Sequence, residues 1–136
     1  MDLIEAVESN NLKMVKELIK AGANLDILDN IGNTALILAS YRNNIEIAKE
    51  LIKAGANVNS QDKYGSTALI YASYKNNIEI TKELIKAGAD WNLKNYDNDY
   101  YFLNYLVEED KDKIIEEFPE EYENYLIKKD AEKYNL

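Results

Sequence analysis

Apolar and polar residues follow a pattern along this chain that returns every 33 positions. Setting residues 29–61 against 62–94 leaves 23 of 33 positions identical without a gap. Residues 3–28 align as a shortened copy. Asn10-Asn11, Lys16-Glu17-Leu18-Ile19-Lys20 and Ala21-Gly22-Ala23-Asn24 all fall on their counterparts. From Asn95 onward the outline persists and then drifts. A period of this length predicts stacked supersecondary units, each touching only its neighbours, because one unit cannot bury its apolar face alone.

Within a unit the spacing of apolar residues is helical. Leu36, Ile37, Ala39 and Ser40, with Leu69, Ile70, Ala72 and Ser73 one period later, predict a short first helix whose small residues let neighbours approach. Asn33, Ser66 and Asp99 share one register and read as N-caps of helices that begin at the next residue. Asn43 and Asn76 end the first helix, since asparagine tolerates left-handed backbone. Ile45, Ile47, Ala48, Leu51 and Ile52 predict a second helix, stopped by Gly55 as its counterparts are by Gly22 and Gly88. Ala56 to Gly65 reads as an extended arm with a turn, with Asn57, Asn59, Asp90 and Asn92 as turn formers.

The two ends break the pattern. Asp2 and Glu5 predict a capping box on the first helix, with Glu5, Glu8, Ser9 and Lys13 facing solvent. Tyr100–Val107 predicts the first helix of a diverged unit, and Lys113–Phe118 a shortened second one. Pro119 breaks that helix and predicts the start of a last one, with Glu120 and Glu121 at its positive end. Tyr122, Tyr125, Leu126 and Lys129 share a face of this last helix that can close the stack, with Tyr100, Tyr101 and Tyr105 packed beneath it.

Composition then narrows the chemistry. The chain has neither Cys nor His, which excludes disulfides, thiolate nucleophiles, Cys/His zinc sites and histidine-based dyads. Asp97-Asn98-Asp99 lacks the glycine and glutamate a calcium loop needs, and no phosphate-binding loop or dinucleotide fingerprint is present. The acidic runs Glu108-Glu109-Asp110, Glu116-Glu117 and Glu120-Glu121 read as solvated helix ends and faces. No catalytic site, metal or cofactor is expected. A net charge of −9 opposes binding to nucleic acid, whose recognition rests on Lys and Arg. The acidic N-terminus and the lack of a long apolar run predict a cytoplasmic protein that does not bind membranes. A monomer is expected, because no coiled-coil stripe is evident.

The motifs Asp-x-x-Gly-x-Thr-Ala-Leu (Asp29 to Leu36, Asp62 to Leu69), Glu-Ile-x-Lys-Glu-Leu-Ile-Lys and Ala-Gly-Ala-Asn/Asp-x-Asn resemble those of the ankyrin-repeat family, over about residues 1–107. The resemblance implies an all-α solenoid of stacked helix-turn-helix units joined by turn-bearing arms. Its expected divisions are a capping half-repeat (1–28), two repeats (29–61 and 62–94), a diverged repeat (95–118) and a C-terminal helix (119–136). The family's Thr-Pro-Leu-His stands here as Thr34-Ala35-Leu36-Ile37 and Thr67-Ala68-Leu69-Ile70, and its Gly-His as Asn43-Asn44 and Asn76-Asn77. The missing proline and the missing histidine hydrogen bond imply a stability below that of consensus arrays, with the isoleucines compensating by packing.

The same resemblance implies protein binding through arm tips and the concave face. Helical spacing puts Leu38, Tyr41 and Arg42 in one stripe and Tyr71, Tyr74 and Lys75 in the next. Asn30, Ile31, Lys63, Tyr64, Tyr96 and Asp97 are the tip residues. Several of the few differences between the two copies fall among these positions: Asn30/Lys63, Ile31/Tyr64, Leu38/Tyr71 and Arg42/Lys75. Tyrosine is abundant, at eleven residues, and is enriched at protein interfaces. The expectation is a non-catalytic interaction module. The alternative is a small acidic inhibitor of immunity type, blocking a basic toxin, nuclease or nucleic-acid-binding protein.

Overall fold

The computed structural model describes residues 1–134; Asn135 and Leu136, which close the expected C-terminal segment, lie outside the described residues. Helix α1 (Leu3–Glu8) pairs with α2 (Leu12–Lys20), α3 (Ala35–Tyr41) with α4 (Ile45–Lys53), and α5 (Ala68–Tyr74) with α6 (Ile78–Lys86). A 3₁₀ turn (Phe102–Tyr105), α7 (Glu108–Glu117) and α8 (Pro119–Lys133) complete the chain, and the described residues contain no strand. First helices stack in the order α1, α3, α5 and 3₁₀ turn, while α2, α4 and α6 form a second layer.

Each turn between paired helices runs through an asparagine with positive φ: Asn10 at 52°, Asn43 at 62° and Asn76 at 58°. This is the left-handed conformation that asparagine tolerates better than most residues. The asparagines also tie neighbouring units together. The Asn77 side-chain amide donates to the Asn43 side-chain carbonyl, and that of Asn44 donates to the Val7 carbonyl. The capping box at Asp2 is formed, with Glu5 N–H donating to the Asp2 carboxylate at 2.9 Å and Asp2 N–H to the Glu5 carboxylate at 3.0 Å.

The N-caps of α3 and α5 differ from the expectation. Thr34 and Thr67 occupy them, and their hydroxyls accept the Ile37 and Ile70 N–H groups at 3.1 and 3.2 Å. Asn33 and Ser66 instead belong to the arm turn, where their own N–H groups are held by Asp29 and Asp62 at 2.8 and 3.1 Å. Asp99 caps no helix; it sits at φ 56° within the arm. A threonine cap leaves the following alanine at the helix's first position, where the resemblance places proline.

Between the layers, Leu36, Leu51, Leu69 and Leu84 are fully buried with Ile47 and Ile80. Burying each such side chain stabilises the fold by about 1.5–3 kcal/mol. Ser40 and Ser73 are buried among them and satisfy their hydroxyls on the Leu36 and Leu69 carbonyls, both at 2.8 Å. Ile37 and Ile70, in the place of the family's histidine, are buried as well.

The arms stack through one backbone bond per step: Lys63 N–H donates to the Ile31 carbonyl at 3.1 Å, and Tyr96 N–H to that of Tyr64 at 2.9 Å. A second ladder runs along the other side. Asp26 accepts the Asn57 N–H at 2.9 Å, and Asn59 accepts the Asp90 N–H at 2.7 Å. Asn92 holds the next place in this ladder, and its side-chain amide donates to the Tyr125 carbonyl of α8 at 3.1 Å. Helix α8 thus takes the position a further repeat would occupy.

The C-terminal helices depart from expectation in two ways. Only the 3₁₀ turn forms where a first helix was expected, and α7 begins at Glu108 rather than Lys113. Pro119 opens α8 as expected, with Glu120 and Glu121 in its first turn. Of the predicted closing face, Tyr125 is buried and Tyr122 half-buried, whereas Leu126 and Lys129 are exposed. Tyr125 packs against Trp91 and Tyr101, with ring centroids 6.1 and 5.4 Å apart. No described helix is long and apolar enough to cross a membrane.

Candidate interaction surface

The first helices and the arm tips build one continuous face. Helix α3 ends on Tyr41 with Arg42 as its C-cap, and α5 ends on Tyr74 with Lys75 in the equivalent position. Tyr41 is 45% exposed and Tyr74 62%. Such rings remain in solvent because the helices place them on the side away from the second layer. The Tyr41 ring meets Tyr71 edge-on at 5.5 Å, and the Lys75 ammonium stands 4.6 Å from the centre of the Tyr41 ring. That distance lies within cation–π range. Tyr74 meets Tyr105 edge-on at 5.9 Å, and Tyr105 meets Tyr100 at 5.6 Å. The result is two edge-on sets of rings on one face, Tyr41 with Tyr71 and Tyr74 with Tyr105 and Tyr100, with Lys75 resting on the first.

The structure groups the predicted site residues unevenly. Ile31, Leu38, Tyr41, Arg42 and Tyr71 line one cleft together with Asp29, Asn33 and Ile37. Tyr41, Arg42 and Lys75 line a shallower one next to it, with Glu8, Asn10, Asn43 and Asn44. Lys63, Tyr64 and Tyr96 lie along the stacked arm tips, where the Lys63 ammonium rests 5.0 Å from the Tyr64 ring centre. Asn30 and Asp97 are exposed at the tips and line neither cleft.

Two members of the set are less available than spacing implies. Leu38 is only 8% exposed and forms cleft floor rather than stripe. Tyr71 is half-buried, and its hydroxyl donates to the Asp62 carboxylate. Burial, and then that anionic partner, push the Tyr71 hydroxyl well above the usual phenol range, with Ser66 acting in the opposite sense.

Tyr100 and Tyr105 belong to this face, contrary to the expectation that they pack under the last helix. Tyr100 is exposed, and Tyr105 is held by Asn98, whose amide donates to its hydroxyl at 3.2 Å. The 33-residue register puts Tyr105 at the buried position of Ala39 and Ala72, so periodicity alone hides it. The tighter winding of the 3₁₀ turn changes which side of the turn it leaves. Tyr101 alone meets the expectation: it is buried, and its hydroxyl donates to Glu132 at 2.7 Å. Burial and then Glu132 raise its pKa to about 12.

Charge is divided between regions. Residues 108–123, in α7 and the start of α8, carry nine carboxylates against two lysines, a net of −7 out of the chain's −9. The tyrosine-bearing face carries Arg42 and Lys75 instead. Neither forms an ion pair among the described residues; Arg42 donates to the Glu8 backbone carbonyl at 3.5 Å.

Paired helices in register, tip-to-tip arms and an open inner face define a helical-repeat scaffold of the kind that presents a binding surface. Residues 3–95 match the family of ankyrin repeats, as three copies. The chain belongs to the ankyrin-repeat family. No curated protein matches it.

Proposed function

We propose that this protein is a non-catalytic interaction module that binds a protein partner on the face formed by Tyr41, Tyr71, Tyr74, Arg42 and Lys75. The observation that carries the reading is the pair of exposed rings, Tyr41 and Tyr74, each meeting a neighbouring tyrosine edge-on and accompanied by Arg42 and Lys75. Aromatic rings that are already fixed lose little conformational freedom on binding, so their burial is converted efficiently into affinity. Ankyrin repeats are in general protein-interaction modules, and the family membership supports the same reading.

The test is affinity capture from the source cells followed by mass spectrometry, with wild type beside the Tyr41→Ala/Tyr74→Ala double variant. Tyr71 is left intact because its hydroxyl is bonded to Asp62. Each ring that acts as an anchor should contribute about 2 kcal/mol, roughly 30-fold in Kd. Undiminished capture by a folded double variant would move the site to the tail. A second reading, an acidic inhibitor of a basic target, draws on the carboxylates of α7 and α8. Salt separates the two: a charge-driven inhibitor loses association rate steeply as ionic strength rises, whereas a tyrosine-anchored module does not.

A further inference from the structure

Two of the ten differences between residues 29–61 and 62–94, Asn33/Ser66 and Leu38/Tyr71, change how the arm-turn carboxylate is covered. In the second repeat, Asp62 turns the arm by accepting the Tyr64 and Ser66 N–H groups, and Tyr71 lays its ring over the turn with its hydroxyl on the same carboxylate. Asp62 is thereby reduced to 4% exposure. In the first repeat, Asp29 makes the equivalent turn, one carboxylate oxygen accepting the Ile31 and Asn33 N–H groups at 3.0 and 2.8 Å and the other accepting the Asn33 side-chain amide at 3.2 Å. Leu38 holds the place of Tyr71 and carries no hydroxyl.

Three observations show what the change leaves behind. Asp29 stays partly exposed where Asp62 is covered. Asn33, in the place of Ser66, is 6% exposed, and its side-chain oxygen has no hydrogen-bond partner among the described residues. A cleft of about 370 Å³ opens over these two residues, walled by Ile31, Ile37, Leu38 and the rings of Tyr41 and Tyr71. This volume falls within the range of ligand-sized pockets.

We propose that this cleft receives an unphosphorylated tyrosine side chain of the partner protein, its phenol donating to the Asp29 oxygen that also accepts the Asn33 amide, as Tyr71 donates to the matching oxygen of Asp62. The inference rests on the interaction-module reading and names the group that the inner face takes. Complementarity selects this group. The aliphatic and aromatic walls suit a ring, the carboxylate at its end calls for a hydroxyl donor, and the protein's own second repeat holds that pair in that geometry. A phosphorylated ring would bring its charge against Asp29 and is excluded. Arg42 at the mouth favours an acidic residue beside the tyrosine.

The experiment titrates ¹⁵N-labelled protein with p-cresol, the tyrosine side-chain analogue, and in parallel with toluene and phenyl phosphate. Saturable shifts at the Ile31, Asn33 and Leu38 amides with p-cresol, at least threefold weaker with toluene and absent with phenyl phosphate, are expected. Leu38→Tyr should fill the cleft from within, abolish these shifts and leave the melting temperature unchanged or higher. Should that variant fail to fold, Asp29→Asn serves instead. Asn95 already makes the same turn in the third arm, its side-chain carbonyl accepting the Asp97 N–H at 2.8 Å. In Asp29→Asn the preference for p-cresol over toluene should fall toward unity. Shifts centred elsewhere, no saturation, equal response to toluene, or p-cresol binding unchanged in a folded Leu38→Tyr protein would each overturn the proposal. If p-cresol fails while Tyr41→Ala/Tyr74→Ala still abolishes capture, the cleft is wrong and the broader reading stands.

Discussion

The seam between the two full repeats and the seam that ends the stack answer the same need with different residues. Between repeats, leucine, isoleucine, alanine and serine meet their own counterparts one period away, and small side chains let like helices nest. At the end there is no like unit. A single helix, α8, crosses the last arm, and the uneven gap is filled by rings: Trp91 against Phe102 at 4.9 Å, Tyr125 against Tyr101 at 5.4 Å, Tyr122 beside Tyr125 at 6.2 Å. Repetition permits small interlocking groups, whereas termination calls for large, rigid ones. The difference also explains why tyrosine has two roles here, in the closing core and on the open inner face.

Seven substitutions probe that contrast. The largest effect is expected from Phe102→Ala, since Phe102 is wholly buried at the junction of the two seams. Its loss should cost about 3–5 kcal/mol, read from urea unfolding. If the closing seam were a loose appendage, the variant would instead lose only local structure and keep its main transition. Next comes Gly65→Ala in the arm, where φ is +82° and an added Cβ would lie 2.7 Å from the Tyr96 ring. The backbone alone should cost about 1–2 kcal/mol. Gly55→Ala, at φ +91° with open space around it, separates that backbone cost from the clash.

Thr67→Ala removes the cap of an interior helix and should cost about 1 kcal/mol, whereas Ser66→Ala should leave the start of α5 unchanged by amide exchange. The opposite ranking would restore Ser66 as the cap. The smallest effect is a pH dependence at the closing seam. The hydroxyl of Tyr101 has its pKa raised to about 12, against about 10 for a free phenol. Its contribution is therefore intact below pH about 10 and lost as pH rises through about 12. Urea midpoints should decline more gently over that window in Tyr101→Phe than in wild type. Tyr71→Phe should do the same for the interior seam, because the Tyr71 hydroxyl is also raised. Equal slopes in all three proteins would remove the assigned role of both hydroxyls.

Much of the interior was legible in the residues because its contacts repeat. Leu36 and Leu69, or Asn43 and Asn76, sit in equivalent surroundings, so one pattern seen twice identifies core and turn together. The N-caps were misplaced by one residue because Asn33-Thr34 and Ser66-Thr67 each offer two capable side chains in succession. Propensity ranks them almost equally, and the choice falls to Asp29 and Asp62, which take the first of each pair into the arm turn. The interaction face was legible in part. Tyr41, Arg42, Tyr74 and Lys75 follow from helical spacing, while Tyr100 and Tyr105 were hidden by a 3₁₀ turn where a helix was expected.

The chain's own pattern was sufficient to determine the family, the helix pairs, the left-handed asparagine turns and the glycine stops, since each depends on short-range preference or on contacts copied every 33 residues. Only the tertiary structure decided how α8 closes the stack, which tyrosines face outward, and that Asp29 stays partly exposed where Asp62 is buried. Those outcomes depend on pairs that occur once, such as Asn92 with Tyr125 or Tyr71 with Asp62. A periodic code carries no information about a contact that is not repeated.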